Sequence, residues 1–100
     1  MTEKDKFHKD MKNIYFQCSR LNYEPKIFLG MVNNYGGFEA AKRLIAQKDY
    51  MTYGFATLWE KNRLDLTMEA LIVEKWSHLF SPKELDECKK RLSEVGYTFQ

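Results

Sequence analysis

The stretch Asn33-Asn34-Tyr35-Gly36-Gly37-Phe38-Glu39-Ala40-Ala41-Lys42-Arg43-Leu44 decides the fold. It places two glycines, which stop a helix cheaply, directly before a run of good helix formers. Two further segments repeat the alternation of stop, start and apolar anchor. They are Tyr53-Gly54-Phe55-Ala56-Thr57-Leu58-Trp59-Glu60 and Arg63-Leu64-Asp65-Leu66-Thr67-Met68-Glu69-Ala70-Leu71. Punctuation this dense predicts short helices joined by tight connections.

Working outward from that core, apolar residues at Phe7, Met11, Ile14, Tyr15, Cys18 and Leu21 recur in steps of three and four, which predicts a helix over about 3–20. Pro25 suits the opening of a second helix whose inward stripe is Phe28, Met31, Val32 and Tyr35, ended by Gly36. Phe38, Ala41, Leu44 and Ile45 predict a third helix over about 38–47, followed by a loop over 48–53. A fourth is expected over about 54–62 with Phe55, Leu58 and Trp59 inward. Thr67 reads as the cap of a fifth, with Glu69 placed where the helix dipole favours an acid. Ser81-Pro82-Lys83-Glu84 is a capping box with proline at the first helical position. It opens a sixth helix that carries Leu85, Cys88, Leu92 and Val95 inward and stops at Gly96. On that helix, Asp86 with Lys90 and Glu87 with Arg91 read as acid-before-base pairs on a solvated face. No segment alternates with period two for long enough to argue a sheet. The expected fold is all-α, a compact bundle of five or six short helices forming one domain over residues 1–100.

Composition sets limits on function. A hydrophobic fraction of 44% with 30% charged residues describes a globular chain with a core. The apolar run Ala70-Leu71-Ile72-Val73 falls far short of the roughly 20 residues a membrane span needs, and the charged start Met1-Thr2-Glu3-Lys4-Asp5-Lys6 has no apolar centre. A cytoplasmic setting with no membrane partner is therefore expected. Sixteen basic residues against 14 acidic ones give a net charge of +2, too even to argue nucleic-acid binding by itself. Cys18 and Cys88 lie on apolar stripes and read as buried thiols; a disulfide would require the first and last helices side by side.

Groups able to do chemistry are sparse. His8 and His78 have no sequence-local nucleophile or base beside them, and with Cys18 and Cys88 they lack the paired spacing of zinc ligands. Gly36-Gly37 is not followed by the lysine and hydroxyl of a phosphate loop. No catalytic residue, metal, cofactor or small-molecule substrate is expected.

Two kinds of partner remain. Aromatic residues make up 15% of the chain, more than a small domain hides easily, and exposed aromatics anchor protein partners well. Tyr50, Tyr53 and Trp76, in loops or at helix ends, are the candidate contacts for a protein or for a second copy. The alternative is nucleic acid. Residues 38–64 can be drawn as a helix-turn-helix-like segment with Lys42, Arg43, Lys48, Lys61 and Arg63 as its basic strip, although the loop is long for that motif.

Two resemblances bear on this choice. Residues 28–39, Phe-Leu-Gly-Met-Val-Asn-Asn-Tyr-Gly-Gly-Phe-Glu, resemble the opening of the AT-rich interaction domain, a helical DNA-binding fold. The tryptophan which that family carries soon after the double glycine is missing, so the likeness is assigned to shared helix-stop chemistry. From about Tyr23 to Tyr97 the chain looks like a small bacterial all-helical domain found alone or appended to larger proteins. The pattern comprises Gly36-Gly37-Phe38-Glu39-Ala40-Ala41-Lys42-Arg43-Leu44, Tyr53-Gly54-Phe55, Leu58-Trp59-Glu60 and Arg63-Leu64-Asp65-Leu66-Thr67. That resemblance implies a helical fold and carries over no functional residue.

Overall fold

A computed structural model describes residues 2–48 and 55–97. The described chain is all-α, with no strand in it. Six helices follow one another: α1 (Glu3–Ser19), α2 (Lys26–Tyr35), α3 (Gly37–Ala46), α4 (Phe55–Glu60), α5 (Met68–Lys75) and α6 (Pro82–Glu94). Single 3₁₀ turns at Leu64–Leu66 and Ser77–Leu79 flank α5. The loop expected over 48–53 falls almost entirely outside the described residues. Packing divides the chain into two units, Met1–Gln47 and Lys48–Gln100.

In the first unit each of α1, α2 and α3 touches the other two. Its buried hydrophobic residues follow the expected stripes: Phe7, Met11, Ile14 and Cys18 from α1, Phe28 and Val32 from α2, and Ala41, Leu44 and Ile45 from α3, with Ala40 beside them. Tyr15, Leu21, Met31 and Phe38, also expected inward, are half-buried. The start of α1 is fixed by a reciprocal cap, in which Asp5 N–H donates to the Thr2 hydroxyl and Thr2 N–H donates to the Asp5 carboxylate. Hydrogen bonding to the Thr2 backbone first, and to its side chain second, holds the Asp5 carboxyl below its ordinary value. Asn22 closes the other end at φ +61°, with Tyr23 N–H donating to the Cys18 carbonyl and Asn22 N–H to that of Ser19. This is a Schellman closure built on asparagine rather than glycine. Between α2 and α3 the chain turns at one residue, Gly36, whose φ of +84° and ψ of +156° suit glycine almost alone.

In the second unit α5 packs on α6, with the 3₁₀ turns against α5 and α4 against the first of them. Phe55, Ala70 and Leu92 form an apolar cluster surrounded by Leu64, Val73, Val95 and Tyr97. The expected caps are present: Thr67 accepts from Ala70 N–H at 3.1 Å, and Ser81 and Glu84 form the full capping box. Asn62 at φ +59° and Gly96 at φ +80° end α4 and α6 in the same manner as Asn22.

Three expectations of burial are corrected. Tyr35 and Trp59, expected inward, are 47% and 46% exposed. Each lies at or near the end of its helix, where the buried stripe runs out. Arg91, expected on a solvated face, is 1% exposed and lies against α5.

Candidate interaction surface

The aromatic candidates separate cleanly. Tyr50 and Tyr53 lie outside the described residues. Trp76 is not an exposed anchor: its ring is 6% exposed. It caps α5 at the turn into Ser77–Leu79, with the His78 ring at 5.7 Å and the Lys75 ammonium 5.6 Å from its centre. An apolar ring at a helix end is drawn inward when the following residues turn back over it. Helix-end position therefore did not imply exposure.

The basic candidates are divided between the two units. Lys42 and Arg43 belong to α3 in the first unit; Lys48, Lys61 and Arg63 belong to the second. Lys42 and Arg43 both lie over aromatic rings, Lys42 at 5.0 Å from the centre of Phe38 and Arg43 at 4.1 Å from that of Tyr35. Lys4 approaches Phe38 from α1 at 4.4 Å. Glu39 pairs with Arg43 at 3.3 Å, and Asp65 receives both Nε and Nη2 of Arg63 at 3.1 and 3.2 Å. Lys48 and Lys61 are exposed. The helix-turn-helix-like reading of 38–64 draws its two helices from different units, with 49–54 between them outside the described residues.

Sequence reasoning missed two contacts. His8 accepts a 2.8 Å hydrogen bond at Nδ1 from Gly37 N–H, so its imidazole caps α3 from outside that helix. A Cβ at Gly37 would stand 2.7 Å from the His8 Cα, and only glycine lets the backbones come this close. A pocket of about 410 Å³ opens beside this contact, lined by residues including Lys4, Asp5, His8 and Glu39. The His8 acceptor beside it is already committed to the backbone.

The second missed contact is the buried cluster around Arg91. Its Nη1 donates to Glu69 at 3.0 Å and its Nε to Glu87 at 2.8 Å, so one guanidinium ties α5 to α6. Glu69 lies in the first turn of α5, as expected, and is in addition half of a buried ion pair. Burial pushes its carboxyl up, opposed by the charge of Arg91. Burial, with the Glu69 charge second, also pushes the Cys88 thiol up to about 12. Tyr97, donating to Glu74 at 2.8 Å, is likewise raised to about 12, by desolvation first and by that hydrogen bond second. Cys18 and Cys88 are both buried thiols. Among the described residues no group of three or more His, Cys, Asp or Glu side chains is placed to hold a metal ion, and no helix is long and apolar enough to cross a membrane.

Among the described residues the exposed large apolar side chains are instead Phe16, Ile27, Tyr35 and Trp59. Two of them share α2. With 100° per residue, Ile27, Gly30, Met31, Asn34 and Tyr35 occupy one arc of roughly 140° on that helix, beside the buried arc of Phe28 and Val32. Ile27 is 67% exposed, Met31 half-buried and Tyr35 47% exposed. Lys26 is the one charged residue of the helix. No family model, no curated protein and no solved structure matches this chain.

Proposed function

We propose that the chain is a non-catalytic protein-binding module, self-association included, and that the outward face of α2 is its contact surface. The observation that carries this reading is Ile27, an aliphatic side chain two thirds open to solvent, in register with Met31 and Tyr35 on a helix almost free of charge. Isolated exposed apolar residues are ordinary; a row of them without intervening charge supports the reading of a surface that another molecule covers. Tyr35 adds an amphipathic anchor, steadied by the Arg43 guanidinium on its ring.

The test places a photo-crosslinking amino acid at position 27 of the full chain and irradiates cells that express it. Covalent adducts with protein, reduced by Tyr35→Ala, are expected. A chain that labels no protein from position 27 contradicts the reading.

Nucleic acid is the second reading. Supporting it are Lys4, Lys42 and Arg43 around the rings of Phe38 and Tyr35, a mixture of cations and aromatics that suits phosphates and bases. The pairing of Arg43 with Glu39 and of Arg63 with Asp65 ranks it below protein binding. Duplex and single-strand titrations at low salt decide it: affinity that falls steeply as salt rises supports nucleic acid, and no binding at low salt removes it.

A further inference from the structure

We infer that the occupant of the α2 face is a second copy of this chain, with the two α2 helices packed antiparallel across a two-fold axis between Gly30 and Met31. This deepens the protein-binding reading of the same face and rests on it.

Three features of α2 favour its own copy. The first is symmetry of pattern. Under a two-fold between positions 30 and 31, Ile27 meets the partner's Asn34, and Met31 meets the partner's Gly30. The bulky side chains of one helix thus oppose the small or slender ones of the other, as close helix packing requires. The second is Gly30 itself. It is half-buried, has ordinary backbone angles, and a Cβ built on it would meet nothing within 4 Å. Neither local conformation nor packing within the chain calls for glycine there, whereas close approach of a second helix does.

The third feature is charge. A face presented to itself across a two-fold sets every charge against its own image or against a residue at the other end of the helix, and this face carries no charge in its centre. α2 has no acid in its first turn and no base in its last. Lys26 therefore stands at the end of the helix that already carries the positive pole. Antiparallel pairing moves that ammonium to the carbonyl end of the partner's α2, where a cation is favoured. Arg43, stacked on the Tyr35 ring at that end, is neutralised by Glu39 at 3.3 Å and so does not cancel the gain. A partner with a charged surface would find no complement on this row.

Ten residues of helix make a contact about 15 Å long. Such a contact belongs to the small class of specific interfaces, below about 1,200 Å² in total, so a weak dimer in fast exchange is expected. Sedimentation of the full chain up to about 1 mM, where a weak dimer becomes populated, should show the weight-average mass rising towards twice that of the monomer. Ile27→Glu should weaken the association at least tenfold while helicity stays unchanged. Geometry is read by copper–phenanthroline oxidation: Gly30→Cys, beside the axis, should cross-link to its own copy, and a mixture of Ile27→Cys and Asn34→Cys should cross-link to each other. Lys9→Cys, on exposed surface of α1, serves as the control for random collision.

A chain that stays monomeric to 1 mM, or an Ile27→Cys that couples with itself as fast as Gly30→Cys, overturns the antiparallel dimer. The photo-crosslink at position 27 separates the two failures. An adduct to a different protein with a monomeric chain removes the second copy and keeps the binding face; no protein adduct removes both.

Discussion

The two units of this chain close their interiors by different physics. In α1–α3 the described buried residues are almost all apolar, and one polar contact, His8 to Gly37 N–H, joins α1 to α3. In α4–α6 the interior contains Arg91, Glu69 and Thr67, and the guanidinium spans α5 and α6. An apolar interface degrades gradually when trimmed. A buried ion pair fails abruptly when one partner is lost, because the other charge is left desolvated. Two charged residues of the second unit, Arg91 and Glu69, are thus committed to its interior, and the first unit buries no such pair among the described residues.

Removing Arg91 should produce the largest effect. Arg91→Ala leaves Glu69 buried without its cation, which costs about 3–5 kcal/mol. Hydrogen exchange in the full chain should show amides of α5 and α6 opening while those of α1–α3 keep their protection. Replacing both partners, Arg91→Met with Glu69→Leu, should recover most of the loss. Equal loss in both units would break the comparison.

Next comes an alkaline weakness in α4–α6. The Cys88 thiol is raised from its ordinary 9.0 to about 12 by burial. A group whose proton is held more tightly in the folded state gives stability that is complete below its unfolded value and declines as pH rises towards the folded one. Protection of α6 should therefore fall between about pH 9 and 12, by a few kcal/mol at roughly 1.4 kcal/mol per pH unit of displacement. Absorbance near 240 nm, read as the difference from Cys88→Ala so that tyrosine ionisation cancels, should rise with that loss, and Cys88→Ala should flatten the profile. An unchanged profile in Cys88→Ala would assign the weakness to another group.

The smallest of these effects falls in the first unit. Gly37→Ala brings a Cβ to 2.7 Å from the His8 backbone and should cost about 1–3 kcal/mol, the usual range for overpacking. The loss should appear in α1 and α3 alone. His8→Ala would remove the cap without the clash, and a much smaller loss there would show that the close approach matters more than the hydrogen bond.

How far the sequence could be read follows the same division. Helix positions were legible because caps and apolar spacing are local: Thr67, Ser81-Pro82, Gly36 and Gly96 all act where their chemistry places them. Asn22 and Asn62 end helices as well as glycine does, but asparagine is too common in loops to flag as a stop. The Arg91–Glu69 pair was illegible because its partners stand 22 positions apart. An i, i+4 neighbour, Glu87, offered a sufficient local explanation for Arg91. Tyr35 and Trp59 were misplaced because helical periodicity fixes a direction around the axis and says nothing about where the neighbouring helix ends; Trp76 was misplaced because a helix-end position was read as exposure. The contact between His8 and Gly37, 29 positions apart, left one trace in the sequence, a second glycine where one would have stopped the helix.

The claim on which the functional account rests is that the outward row of α2 meets a second copy of the chain. Methyl NMR spectra of the full chain through a dilution series test it most directly. The account predicts that the Ile27 and Met31 methyl signals move with concentration while those of buried Ile14 and Ile45 stay fixed. Ile27 and Met31 signals that stay fixed while methyls elsewhere move would contradict it.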